Sequence, residues 1–215
     1  DVGDTVTLEG TTIPSWLTFT ASTGVLSGTP LNEDVGVNNV VITATDGTVS
    51  ITQSFTITVV NTNDAPTITS RPIETATEDT EYSYTVTTQD VDVGNTVTLE
   101  GTTIPSWLTF TASTGVLSGT PLNEHVGDHE VVITANDGTV SVTQEFTITV
   151  ENTNDAPTFT STPLETATED VPYSYTVTTA DVDVGDTVTL EGTTIPSWLT
   201  FTASTGVLSG TPLNE

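Results

Sequence analysis

The 215-residue chain carries 29 acidic side chains against a single basic one, a formal net charge of −28. That sign argues against nucleic acid as a partner, whose phosphates it repels, and against an anionic membrane surface. With no cysteine there is no disulfide framework and no thiol to report the redox compartment, and no apolar run approaches the roughly 20 residues that span a bilayer. A charge of this size also destabilises a compact state by self-repulsion, which bound cations or a salty medium relieve.

Along the chain one unit is repeated. Asp64 recurs as Asp155, a step of 155 − 64 = 91 residues, and Asp92 recurs as Asp183 at the same step. The run from Gly-Thr-Thr-Ile-Pro-Ser-Trp to Thr-Pro-Leu-Asn-Glu stands unchanged at 10–33, 101–124 and 192–215. The expected division is therefore a C-terminal part of a repeat at 1–64, a whole repeat at 65–155 and an N-terminal part at 156–215. A unit of this length is a domain rather than a solenoid turn. The chain opens inside a repeat, at Asp1-Val2-Gly3-Asp4, which leaves room for a secretory leader upstream.

Within the whole unit the apolar period is two. Tyr82-Ser83-Tyr84-Thr85-Val86 and Thr96-Val97-Thr98-Leu99 alternate large apolar residues with small polar ones, the mark of half-buried strands. Val131 to Thr134 and Val140 to Val150 are joined through Asn136-Asp137-Gly138, a hairpin signal. Helical spacing is sustained nowhere. Many short strands separated by turn residues predict an all-β, two-sheet Greek-key sandwich of Ig-like or cadherin-like type. Residues 156–182 hold the 27 positions that 1–64 lack, so head-to-tail strand exchange between copies of the chain is a further expectation.

The joints between units read Asn61-Thr62-Asn63-Asp64-Ala65-Pro66 and Asn152-Thr153-Asn154-Asp155-Ala156-Pro157. Their proline is foreign to a central strand. Asp90-Val91-Asp92 and Asp181-Val182-Asp183 place two carboxylates at i and i+2, on one side of extended backbone. Such a pair is costly unless a cation lies between the charges or one is protonated. Hard cations such as Ca²⁺ take six to eight oxygens from carboxylates, amides and carbonyls; the joints offer all three, and Gly94 lets the loop turn tightly. Turn chemistry alone also favours Asn and Asp, but it leaves the clustered, unbalanced charge unaccounted for. The EF-hand pattern is not met.

The order Glu78, Asp90-Val-Asp92, Thr114-Gly-Val-Leu117, Leu122-Asn-Glu124, Ala135-Asn-Asp137-Gly138 and Asn152-Thr-Asn-Asp155-Ala-Pro157 resembles a cadherin-type repeat. The Ile-Pro-Ser-Trp-Leu-Thr-Phe to Ser-Gly-Thr-Pro segment is similar to the dystroglycan-type and Ig-type cadherin-like repeats of bacterial surface adhesins. That resemblance implies Ca²⁺ held between successive domains. The first joint would use Glu33, Asn63, Asp64, Asp90, Asp92 and Asp137. The second would use Glu78, Glu124, Asn154, Asp155, Asp181 and Asp183. Two departures, Asn-Glu in place of the family's Asp-Arg-Glu and Ala65 and Ala156 in place of the last linker Asn, imply fewer or weaker ions per joint. The implied role is mechanical: an extracellular, cell-surface stalk, fibre or adhesin segment whose partners are neighbouring repeats, other copies of the chain, or a surface or polysaccharide ligand.

Trp16, Trp107 and Trp198 would be the ring platform if the chain were instead a carbohydrate-binding accessory module of a secreted polysaccharide-degrading enzyme; packing is the commoner use of such residues. His125 and His129, present only in the middle unit, suit a transition metal less well than they suit solvated loop positions. No Ser/His/Asp set, phosphate-cradling glycine loop or nucleophilic thiol is found, so an enzyme is not expected.

Overall fold

The computed structural model describes residues 5–214. A first group of strands comprises β1 (Thr7–Thr12), β2 (Leu17–Thr20), β3 (Val25–Gly28), β4 (Gly36–Thr45) and β5 (Ser50–Val59). The second comprises β6 (Thr67–Ile68), β7 (Thr75–Thr77), β8 (Tyr82–Thr85), β9 (Thr88–Gln89), β10 (Thr98–Thr103), β11 (Thr109–Thr111), β12 (Val116–Gly119), β13 (Gly127–Asn136) and β14 (Ser141–Glu151). The third comprises β15 (Thr158–Phe159), β16 (Tyr173–Thr176), β17 (Thr179–Ala180), β18 (Leu199–Thr202) and β19 (Val207–Gly210). Every strand pairing stays within its own group. The only helical elements among the described residues are two one-turn 3₁₀ segments, Asn32–Asp34 and Asn123–His125.

The middle group shows why this sequence folds as a sandwich. One sheet runs β10-β13-β14-β7, the other β11-β12-β8. The Asn136-Asp137-Gly138 turn closes the β13–β14 hairpin, which stays in register from Asn136↔Ser141 to Gly127↔Val150. Because side chains alternate across a strand, that register turns Val131, Ile133, Phe146, Ile148 and Val150 inward, against Tyr82, Tyr84 and Leu117 of the other sheet. Tyr84 meets Phe146 edge-on, with ring centroids 5.8 Å apart. Its hydroxyl donates to Gln144 Oε1 at 2.8 Å, so its polar end is satisfied as burial requires. Strand β7 pairs parallel to β14, through Thr149↔Thr75 to Glu151↔Thr77, and the chain then crosses to the other sheet at β8.

The flanking groups repeat this plan in part. Among the described residues, β5 has no strand beside it where β14 has β7, and β3 has none where β12 has β8. The consequence appears at one register position: Phe146 is 7% exposed, and Phe55, 91 residues earlier, is 38% exposed. Two glycines are dictated by the backbone. Gly94 turns the loop after Asp92 at φ +99°, and a Cβ on Gly119 would lie 2.0 Å from the Trp107 carbonyl, so only hydrogen fits there. No helix among the described residues is long and apolar enough to cross a membrane.

Candidate metal centre

At the first joint the linker lies across the Asp90-Val-Asp92 loop. Asp92 is 3% exposed, and both of its oxygens are used. Oδ1 accepts from Asn32 Nδ2 at 2.9 Å, and Oδ2 accepts from the Asp64 backbone N–H at 2.7 Å. The same Asn32 amide reaches Asp64 Oδ2 at 3.1 Å. Asp90 curls over the loop, its Oδ1 accepting from Asp92 N–H at 2.8 Å, while its Oδ2 is buried without a partner. Asn63 donates to the Asp64 carbonyl and to Asp137 Oδ2, both at 2.9 Å. Asp137 Oδ1 in turn takes the Thr139 and Val140 N–H groups of the hairpin loop at 2.7 Å.

These donors set the electrostatics. The Asn32 amide, followed by the Asp64 N–H, holds the Asp92 carboxyl below the ordinary carboxylate value. The Val140 N–H, followed by Asn63, does the same for Asp137. Both carboxylates are thus kept charged by hydrogen bonds to their ionised forms.

The second joint repeats the linker geometry with different company. Asp183, 5% exposed, accepts from Asn123 Nδ2 at 2.9 Å and from Asp155 N–H at 2.6 Å. Asn154 donates to the Asp155 carbonyl, and Asp181 Oδ1 accepts from Asp183 N–H at 3.1 Å. From the preceding unit come Glu78, 2% exposed, whose Oε2 accepts from Thr153 N–H at 3.1 Å, and Asp79, whose backbone is left-handed at φ +58°. Asp79 N–H is anchored on the Pro121 carbonyl at 2.9 Å. Carboxylate oxygens of Glu78, Asp79 and Asp155 lie within 4.8 Å of one another. Desolvation, then the charges of Asp183, Glu78, Asp79 and Asp181, push the Asp155 carboxyl above its ordinary value.

Ten of the twelve residues expected as ligands therefore gather at the two joints. Glu33 and Glu124 are exposed, and the Glu124 side chain has its nearest basic atom in His125 Nε2 at 3.8 Å. Three contributors went unforeseen. Asn32 and Asn123 stand where the motif lost its carboxylate, and their recurrence at the 91-residue step was the available signal. Asp79 carried no signal beyond adjacency to Glu78, because its place depends on a positive φ. The histidines correct a further expectation. Rather than being solvated, His125 and His129 are half-buried and lie against Trp107, with centroids 6.4 and 5.8 Å from its ring. Trp107 itself is 8% exposed and edge-on to Tyr82, a packing role.

Over 168 residues, 71% of its length, the chain is 30% identical to a serine-rich adhesin for platelets of Staphylococcus aureus, and spans 7% of that protein. The protocadherin GammaB4 extracellular domain superposes on 98% of the chain with a TM-score of 0.50 at 21% identity, the match covering 40% of that structure. An endo-fucoidan hydrolase of glycoside hydrolase family 107 matches 99% of the chain and 35% of its own, at 28% identity and a TM-score of 0.39. A family model described as "Putative Ig domain" matches at 1–60, 65–151 and 156–215. With nearly its whole length so matched, the chain belongs to that Ig-domain family, as tandem cadherin-like β-sandwich repeats.

Proposed function

We propose that the chain is a non-catalytic segment of an extracellular, cell-surface adhesin or stalk, built of units at 1–64, 65–155 and 156–215, whose joints are rigidified by Ca²⁺. The observation that carries this reading is Asp155. Desolvation first, and then the charges of Asp183, Glu78, Asp79 and Asp181, raise the proton affinity of its carboxylate, in a chain with a single basic residue. Carboxylate oxygens within 4.8 Å of one another can share one ion of about 2.3–2.6 Å ligand distance. The proposed donors are Glu78, Asp79, Asn154, Asp155, Asp181 and Asp183 at the second joint, and Asn63, Asp64, Asp90, Asp92 and Asp137 at the first. A bound Ca²⁺ would supply the positive charge that cancels the carboxylate repulsion. The chain's own part is to bring side chains of two units and their linker to one place, so that the free energy of binding favours the assembled joint.

Calorimetric titration with Ca²⁺ tests this. Saturable heat is expected, together with a melting temperature that falls when a chelator is added. If no heat is seen and sodium chloride reproduces every thermal effect, the charge is a salt adaptation and the reading fails. Head-to-tail association belongs to the same proposal, because β5 and β3 present open edges where β14 and β12 are paired. Gel filtration that shows only monomer as concentration rises would rule it out. Similarity to the staphylococcal adhesin supports a surface ligand as partner. The carbohydrate-module alternative places the ligand on the half-buried Trp16 and Trp198, and tryptophan fluorescence that shifts with added polysaccharide would favour it.

A further inference from the structure

We propose that Asn32 and Asn123 are latches: each amide holds its joint shut without any ion, by donating to the carboxylates that a cation would otherwise neutralise. The residues sit at the start of the two 3₁₀ turns, each 60 residues before the aspartate it grips. Asn32 Nδ2 spans two carboxylates, Asp92 Oδ1 of the following unit and Asp64 Oδ2 of the linker. Asn123 Nδ2 meets Asp183 Oδ1 at 2.9 Å. The same contact is thus built twice, at equal register, beside the same linker N–H.

The chemistry makes the residue type decisive. An amide offers both a donor and an acceptor, whereas an aspartate at this position would add a third negative charge beside two others. Asp92 and Asp183 are nearly fully buried, so losing the amide leaves Oδ1 without a donor, at a desolvation cost that the linker N–H on Oδ2 does not offset. Each turn is itself fixed. Leu31 N–H donates to Asp34 Oδ2 at 2.8 Å in the first, and Leu122 N–H to His125 Nδ1 at 2.9 Å in the second. The amide is therefore presented from a rigid element, at little entropic cost on closing.

A cation approaching Asp92 or Asp183 competes with this amide for the same oxygens, a consequence that rests on the calcium reading above; the latch itself does not. Its readout is built in, because Asp64 N–H and Asp155 N–H each donate to the latched aspartate. Amide hydrogen exchange of these two groups, measured by NMR on the whole chain in chelator, reports joint opening. For Asn32→Ala, exchange at Asp64 should speed up about tenfold, the loss of one hydrogen bond to a charged group, with exchange at Asp155 unchanged. Asn123→Ala should do the reverse. Core amides of β13 and β14 serve as the folding control and should keep their protection in both variants. Equal exchange at Asp64 in the parent and in Asn32→Ala overturns the latch. Asn32→Asp keeps the shape and removes the donor, and should open the first joint in chelator as the alanine does; if it stays closed, a merely space-filling role is indicated and the proposal is lost. Absence of calcium heat from the parent would defeat the calcium reading while leaving these chelator measurements decisive for the latch.

Discussion

The two joints share a linker sequence and the same hydrogen bonds around Asp92 and Asp183, yet other carboxyls in them are shifted in opposite directions. At the first, amides and backbone N–H groups surround Asp92 and Asp137 and hold both carboxyls low. At the second, desolvation and then the carboxylates of Asp183, Glu78, Asp79 and Asp181 push the Asp155 carboxyl up. The difference lies in which flanking elements are present. The first joint is flanked by the β13–β14 hairpin loop, which brings Asp137. The second is flanked by the segment after β7, which brings Glu78 and Asp79.

The comparison breaks most visibly by removing charge from the second joint. Glu78→Gln combined with Asp155→Asn should weaken Ca²⁺ binding there by about 100-fold, since it replaces two charged carboxylate ligands with neutral amide oxygens. The first joint should keep its affinity, and two-site calorimetry distinguishes the sites; equal weakening at both would show that the joints are coupled rather than separate. A smaller effect is expected from Asp90→Asn. The unpartnered Asp90 Oδ2 is the first joint's free acceptor, and losing its charge should cost about tenfold in affinity at that joint alone.

The turns that carry the latch residues differ as well. In the first unit Trp16 Nε1 donates to Asn38 Oδ1 at 3.3 Å. In the middle unit His129 stands at that register position and contacts the His125 carbonyl instead, leaving Trp107 Nε1 buried without an acceptor. His129→Asn should restore the acceptor and raise stability by about 1 kcal/mol, a rise of several degrees in melting temperature for a unit of this size. An unchanged or lower melting temperature would mean that the histidine's own packing on Trp107 outweighs the missing bond.

Acid should separate the joints by sign. The stability contributed by Asp92 and Asp137, whose carboxyls are held low, is present above the ordinary carboxylate value and is lost as pH falls through their depressed values. Asp155, held high, carries a penalty that is complete above its raised value and disappears as pH falls below the ordinary one. In chelator, mild acidification should therefore relax the second joint while the first stays intact. The amide shifts of Asp64 and Asp155 report each joint by NMR, and a single shared titration would contradict the assignment.

Much of this was legible beforehand for a physical reason. Alternation in Val140–Val150 reads directly as a strand with one buried face, because side chains project to opposite sides of extended backbone, and the hairpin turn then fixes its partner. The Asp-x-Asp pairs and the linker Asn-Asp were visible because like charges at short spacing call for an explanation. Asp79 was not, since its contribution depends on a left-handed backbone and on the Pro121 carbonyl across the sandwich. Nor were the roles of His125 and His129, whose place against Trp107 follows from the pairing of a turn with a strand far apart in sequence.

The repeat, the all-β period and the excess of negative charge belong to the sequence itself, because they depend only on local spacing and composition. Which carboxylates meet was decided by tertiary structure. Asn32 and Asp92, 60 residues apart, become partners only when two sandwiches and a linker converge, and the same convergence leaves Glu33, one residue away, in solvent. A one-residue step around a 3₁₀ turn rotates the side chain by about 120°, so ligand and bystander differ in geometry before they differ in chemistry.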